Sequence, residues 1–357
     1  MTVEPTFKPA QARAPSFYGM SRESLAARLA ERGLPAYRAD QVFSWVYHKH
    51  HRSAERMINL PSALRERFDE VCDLRLPRVT TSLGTPDDST HKFVLECRDG
   101  SKVECVSMRT ARRLTFCLSS QVGCALKCAF CATGLMGLRR NLSADEIVAQ
   151  VVVMGDYHQW RDQRFNLVFM GMGEPLANYR PVLDAIRLMH DERGLNIGAR
   201  RVTVSTSGLV PQIHQLAEED LAVGLAVSLH ATTDELRDQL VPVNRRWPIA
   251  ELVSAARDFG RRSGRRVTLE YTLLGGVNDR PEDADRLGII ARDLPSKINI
   301  IPYNPVPGLS WKRPTPEAIE AFVQRLYPRA PSVTVRNTLG GEIWAACGQL
   351  GGLSPAA

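Results

Sequence analysis

Cys124-Ala-Leu-Lys-Cys128-Ala-Phe-Cys131 sets three cysteines in one short run. Three thiolates can hold three corners of a cubane iron–sulfur cluster, whereas ferredoxin-type clusters take four cysteine ligands. The fourth iron of a cluster held this way stays open, and an open metal position suits substrate chemistry better than electron storage. The spacing i, i+4, i+7 also fits one face of a helix, so three buried core thiols are the bland alternative. Gly123 before the run and Ala132-Thr-Gly134 after it argue against that reading. Zinc favours paired C-x2-C knuckles with a fourth ligand, and the sequence has no second knuckle.

On both sides of this loop the pattern is legible. Upstream, Leu114 to Leu118 is an apolar run that leads into it. Lys92 to Cys97 and Lys102 to Met108 read as two strands joined by the turn Arg98-Asp99-Gly100-Ser101. Downstream, Ser143-Ala-Asp-Glu146 is a capping box that opens a helix towards Tyr157. Strands are predicted at Asn166–Met170, Arg201–Ser205, Gly224–Leu229, Val267–Leu273, Lys297–Ile301 and Ser332–Arg336. Helices are predicted between them, among them Tyr179–His190, Ile249–Arg261 and Pro281–Arg292. Repeated β-α units imply a parallel sheet covered by helices, as a partial or full barrel.

Ser21 to about Val71 reads as short helices, with Leu25, Leu29, Val42 and Val46 at helical spacing and a break at Gly33-Leu-Pro35. Arg38, Gln41, Trp45, Tyr47, Lys49 and His51 mix base and aromatic, a combination that can stack on and grip RNA. A small bundle with Phe43 and Trp45 at its core fits the same residues. Met1 to Phe17 has no apolar signal core and reads as a frayed tail, and the segment after Leu350 reads as loose.

The chain of 357 residues is 44% hydrophobic and 24% charged, which is ordinary for a soluble globular protein. No run approaches the roughly 20 apolar residues of a membrane span. With no export signal the expected compartment is the cytoplasm, where eight cysteines argue for metal or redox chemistry before disulfides. A formal charge of +7 suits a polyanionic partner such as RNA. The pairs Arg139-Arg140, Arg200-Arg201, Arg245-Arg246 and Arg261-Arg262 are candidate contacts, although such pairs commonly form solvated faces.

The C-x3-C-x2-C spacing of Cys124, Cys128 and Cys131 resembles the signature of the radical S-adenosylmethionine (SAM) superfamily. The resemblance implies a 4Fe–4S cluster on these three metal ligands, with SAM on the open iron and a 5′-deoxyadenosyl radical as its product. Gly171-Met-Gly173-Glu174-Pro175 resembles the superfamily's glycine–glutamate motif, which contacts the SAM amino group. Glycine lets backbone approach a ligand, and a carboxylate pairs with an ammonium. Cys117-Leu-Ser-Ser-Gln-Val-Gly-Cys124, Ala132-Thr-Gly, Asn141-Leu, Val204-Ser-Thr-Ser-Gly208, Ser228-Leu-His230-Ala and Ala345-Ala-Cys347-Gly-Gln-Leu350 narrow the resemblance. Together they are similar to the dual-specificity 23S rRNA/tRNA adenine-C2 methyltransferase family, in order and over nearly the whole chain.

That family implies an α/β fold, a radical-SAM partial (β/α)6 barrel with a small N-terminal helical accessory domain. The boundaries it suggests are a flexible tail at 1–17, an RNA-binding helical domain at 18–80 and a β-hairpin extension at 81–110. A catalytic barrel follows at 111–345, then a segment at 346–357 that carries a catalytic cysteine and the C-terminal tail. It implies methylation of adenine C2 in 23S rRNA, alone or with tRNA, through an S-methylcysteine intermediate that consumes two SAM. In this scheme Cys347 carries the methyl group, Glu104 is the general base for the C2 proton, and Cys117 releases the product through a transient disulfide. Gly173, Glu174, Ser205, Ser228, Leu229, His230 and Asn304 are the implied SAM contacts. Further implied partners are a reducing protein such as flavodoxin and no membrane, with a monomer expected. Cys72, Cys97 and Cys105 are expected to be structural.

Two alternatives stay open at this stage. Leu339-Gly-Gly-Glu342-Ile-Trp344 departs from the usual tail of the C2 family, which has acidic residues just before the Ile, so a C8-methylating relative that confers antibiotic resistance is one. A non-catalytic iron–sulfur RNA-binding protein is the other, and it has no need of Cys117, Cys347 or Glu104.

Overall fold

The computed structural model describes residues 14–351, except 86, 88, 112, 161–164, 293, 331 and 337. Most of the expected N-terminal tail and the last residues of the C-terminal one lie outside the described residues. In chain order the elements are α1 (Arg22–Ala30), α2 (Tyr37–Phe43), α3 (Ser62–Glu66), β1 (Arg78–Gly84), β2 (Thr90–Glu96), β3 (Lys102–Thr110), β4 (Arg113–Cys117), β5 (Gln121–Gly123), α4 (Ala132–Leu135), β6 (Leu138–Asn141) and α5 (Ala144–Tyr157). Then come β7 (Phe165–Phe169), α6 (Tyr179–His190), β8 (Val202–Thr206), α7 (Val210–Glu218), β9 (Gly224–Ser228), α8 (Asp234–Leu240), α9 (Ile249–Ser263), β10 (Val267–Leu273), α10 (Pro281–Arg292), β11 (Ser296–Pro302), α11 (Pro316–Leu326) and β12 (Val333–Val335).

One sheet runs β1-β2-β3-β4-β7-β8-β9-β10-β11-β12. The β1–β4 pairings are antiparallel, and every pairing from β4·β7 onward is parallel. The strands β4 and β7 to β11, with helices between them, form the six-stranded partial barrel, and the β1–β3 meander extends one flank. All seven residues of β10 are buried, as a strand covered on both faces requires. The barrel's C-terminal strand ends therefore lie together at one rim, where βα loops build a site.

The accessory helices bury what their spacing predicts. Leu25 and Leu29 fall on one face of α1 and are both fully buried, with the Ser21 side chain capping the helix by accepting from Ser24 N–H at 3.1 Å. The aromatic cluster goes inward: Phe43, Trp45 and Tyr47 are buried, and the Phe17 ring packs 5.1 Å from Phe43 and 5.3 Å from Tyr47. The core reading of this segment is therefore the one realised, because each ring buries a large apolar area. Phe17, placed in the tail by sequence, is fully buried at the centre of that core. The module docks on α5 through the Arg52–Asp156 ion pair at 2.7 Å, and on the turn after it through His50 stacked on Trp160 at 4.7 Å.

β1 and the β5–β6 ribbon were not anticipated. β1 is an edge strand with mostly exposed or half-buried residues, so it carries no apolar alternation to read. The β5–β6 ribbon is short, and its pairing of Gln121 with Asn141 joins the two ends of the cysteine loop.

Candidate active site

The three-cysteine loop hangs from the β5–β6 ribbon. Gly123 sits at φ +79°, and a Cβ there would lie 1.8 Å from the Gly137 carbonyl oxygen, so only glycine fits. Cys124 N–H donates to that same carbonyl at 3.1 Å. Ala129 N–H donates to Leu240 O at 2.9 Å, and Trp311 Nε1–H donates to Ala129 O at 2.8 Å, which pins the loop's middle to the barrel. The thiols of Cys124, Cys128 and Cys131 are half-buried and free. Burial pushes the Cys124 thiol up to about 11 and raises Cys128 and Cys131 as well. Backbone N–H groups of Leu126 at Cys124, and of Gly134 and Thr133 at Cys131, act in the opposite sense and favour thiolate. The three sulfurs do not close to within 4.8 Å of one another, the spacing of a single-ion site; among the described residues only Cys97, Asp99 and Glu146 do so. Arg140 spans that second group, with Asp99 at 2.6 Å and Glu146 at 2.7 Å, and this also accounts for Arg140 as a structural cation. Three soft sulfur donors, too far apart for one ion and supported by backbone N–H groups, fit a larger iron–sulfur cluster.

Cys128 and Cys131 open onto a cleft of about 840 Å³ at the rim of the barrel. Its walls include Gly173 and Glu174 after β7, Ser205 on β8, Ser228 and His230 at β9, and Asn304 after β11. Six of the seven SAM contacts expected from sequence thus share one cavity. Leu229 is the exception: just past β9, its side chain is fully buried in the core and does not line the cleft, unlike Ser228 and His230 on either side. Gly173 has φ +99°, and a Cβ would lie 2.5 Å from the Gln121 Cβ. Glu174 is buried, and its carboxylate accepts from Leu176 N–H at 3.0 Å and Ser207 N–H at 2.8 Å. Burial outweighs these bonds and pushes its pKa up to about 7. A cationic ligand in the cleft would restore its charge. His230 Nδ1 accepts from Thr272 N–H at 2.9 Å, and burial with the nearby Arg237 cation holds the ring neutral, its pKa lowered to about 3.

A second chamber of about 440 Å³ adjoins the cleft and contains both Cys117 and Arg336. Cys347 lines the two cavities alike. Its loop is clamped on both sides: Asn304 Nδ2 donates to Cys347 O at 3.2 Å, Ala132 N–H donates to Gly348 O at 2.8 Å, and Thr133 Oγ1 donates to Leu350 O. The Cys347 loop is therefore tied directly to the helix that follows the three-cysteine loop. Cys117, at the end of β4, is buried, and burial raises its thiol to about 12.

The expected disulfide is corrected here. All eight cysteines are free, Cys117 and Cys347 included; these two line a common chamber from separate elements without being bonded. Glu104 lines neither cavity. It lies buried on β3 with Lys92 Nζ at 3.8 Å, and that ammonium donates to Trp344 O at 3.2 Å in the Cys347 loop. Sequence reasoning missed Glu270, Arg336 and Ser207. Glu270 and Arg336 could have been flagged as lone charges in the otherwise uncharged strand runs Val267–Leu273 and Val333–Arg336.

Comparison with known proteins agrees with this geometry. Residues 118–287 match the Radical SAM superfamily, and residues 16–74 match the ribosomal RNA large subunit methyltransferase N-terminal domain. The chain is 47% identical over 360 residues to the probable dual-specificity RNA methyltransferase RlmN 3 of Opitutus terrae, covering 96% of this chain and 95% of the relative. It is 48% identical over 344 residues to the dual-specificity RNA methyltransferase RlmN of Anaeromyxobacter dehalogenans, covering 94% and 91%. The crystal structure of a radical SAM methyltransferase from Sphaerobacter thermophilus superposes with a TM-score of 0.91 at 45% identity, covering 94% of this chain and 99% of that one. With the cysteine trio, the cleft at the barrel rim and the cysteine shared by two cavities in place, the chain belongs to the dual-specificity RNA methyltransferase family within the radical SAM superfamily.

Proposed function

We propose that the chain methylates C2 of an adenine in 23S rRNA, and of an adenine in tRNA, by radical-SAM chemistry through an S-methylcysteine. The observation that carries the reading is the position of Cys347, which lines both the SAM-sized cleft and the chamber containing Cys117. A residue that must take up a methyl group in one place and deliver it in another needs access to both. Adenine C2 is an electron-poor carbon and does not attack a sulfonium methyl as a thiolate does, so a covalent carrier divides one difficult transfer into two easier ones.

Membership of the superfamily implies an iron–sulfur and SAM system. Bound at Cys124, Cys128 and Cys131, a 4Fe–4S cluster with SAM would supply the 5′-deoxyadenosyl radical, and a further SAM the methyl group. The protein's own groups do the rest. Gly173 and Glu174 receive the ammonium end of SAM, while Ser205, Ser228, His230 and Asn304 line the remainder of its cleft. Cys347 Sγ accepts the methyl group by displacement and presents it to the base. Glu104 takes the C2 proton, a role that requires the Cys347 loop to lift from Lys92. Cys117 faces the same chamber as Cys347. Residues 18–80 act as an RNA-engaging accessory domain, 81–110 as a linking extension, 111–345 as the catalytic barrel and 346–357 as the cysteine-bearing tail. The expected setting is a cytoplasmic monomer served by a reducing protein of the flavodoxin kind; among the described residues no helix is long and apolar enough to cross a membrane.

Anaerobic incubation with SAM, dithionite and rRNA or tRNA fragments tests the reading. Mass spectrometry of digested RNA should find 2-methyladenosine with wild type and none with Cys347→Ala. Full activity from that variant, or 8-methyladenosine as the product, would overturn it.

A further inference from the structure

Arg336 follows β12, with its N–H held by Ile300 O at 2.8 Å, and its side chain lines the chamber shared by Cys117 and Cys347. Its guanidinium has unusual company. Nη1 donates to Met170 Sδ at 3.7 Å and Nη2 donates to Met108 Sδ at 3.6 Å. Among the described residues it makes no other side-chain hydrogen bond and no ion pair. Thioether sulfur is a weak acceptor, and an enclosed guanidinium ordinarily meets carboxylate or carbonyl oxygen. The chamber also continues past Arg336, Met108 and Leu339 into an opening of about 1050 Å³ walled by Thr110, Arg113 and Thr115. A charged fork with unspent donors therefore stands between the way in from the surface and the two mechanistic thiols.

We propose that Arg336 binds the target adenine, donating to the ring nitrogen beside C2 (N1 or N3) and holding that carbon against Cys347. This deepens the methylation reading above and rests on it. Adenine ring nitrogens are acceptors, and arginine pairs with base edges through its planar fork. The donor also favours the chemistry. A carbon radical next to sulfur is electron-rich and adds fastest to an electron-poor ring, and a cationic hydrogen bond on the flanking nitrogen draws density from C2. No proton leaves Arg336, because guanidinium stays charged in proteins. The Cys347 sulfur and the Glu270 carboxyl group, each in its anionic form, reinforce that charge.

Binding separates this role from a structural one. Cluster-loaded wild type and Arg336→Gln are titrated with two RNA fragments, one carrying adenine at the methylated position and the other an abasic nucleotide there. Wild type should prefer the adenine RNA, and the Gln variant should lose about tenfold of that preference while binding the abasic RNA as wild type does. Arg336→Met, matched to its thioether neighbours, is read the same way if the Gln variant fails to load its cluster. An unchanged preference, or equal weakening towards both RNAs, would overturn the proposal. Wild type is assayed for 2-methyladenosine in parallel. Product formation alongside an unchanged preference sinks only the Arg336 role, whereas no product from wild type sinks the methylation reading beneath it.

Discussion

Glu174 shows how burial sets the charge of one side chain that lines the cleft. Two backbone N–H groups hold the carboxylate, yet burial raises its pKa to about 7. Below pH 7 it is neutral and gives no charge attraction to an ammonium; above pH 7 it is an anion and does. SAM affinity is therefore expected to rise up to about tenfold per pH unit on approaching pH 7 from below and then level off. Titration calorimetry from pH 5.5 to 8.5 checks this, and Glu174→Gln should flatten the profile; a flat wild-type profile would refute the assignment. Arg237 is the structural counterpart. It is fully buried and donates to Leu229 O at 3.0 Å, Asn244 Oδ1 at 2.9 Å, Ser207 O at 2.7 Å and Ser228 O at 3.0 Å. One side chain thus ties together the loops after β8 and β9. Arg237→Met leaves these acceptors unpaired and should cost about 3–5 kcal/mol in denaturant unfolding. A loss under 1 kcal/mol would mean that the loops hold without it.

At the scale of elements, the β5–β6 ribbon matters out of proportion to its length. It closes the base of the three-cysteine loop at a point where a single methyl group would collide with the Gly137 carbonyl. Gly123→Ala is expected to reduce iron retained per chain to less than half of wild type while far-UV circular dichroism barely changes, since the barrel does not depend on the ribbon. Wild-type iron content in that variant would show that the ribbon does not position the loop. Elements with strong local signals were readable in advance. α6 and β10 have the limits that spacing predicts, and Ser143 and Glu146 form the expected capping box on α5. The ribbon and β1 were not readable, because a three-residue strand with one apolar side chain, Val122, and an exposed edge strand carry no period-2 apolar pattern.

Across the whole molecule, the accessory module and the barrel are joined by charge as well as by packing. Arg22 and Arg193 both reach Asp40, at 3.1 and 2.5 Å, and Arg52 reaches Asp156. Many arginines are thus spent internally, Arg140 among them, but each such pair uses up an anion as well as a cation, so the excess of +7 is still there to meet phosphate. RNA affinity should still fall with salt, by at least tenfold between 50 and 200 mM if four or so phosphates are neutralised. Fluorescence anisotropy over that range checks it, and an affinity insensitive to salt would argue against backbone contacts as the main source of binding.

The cysteine trio, the Gly-x-Gly-Glu motif and the alternating strands and helices were settled by residue order, because they are local or periodic properties. Which side chains share a cavity was settled only by the folded chain. Cys117 and Cys347 are 230 positions apart, and no spacing rule relates them; the sheet brings one to the end of β4, and the clamps at Asn304 and Ala132 bring the other beside it. The inward turn of Leu229, the burial of Glu104 with Lys92 and the thioether surroundings of Arg336 belong to the same class. Each depends on packing between distant segments, which a linear sequence does not display.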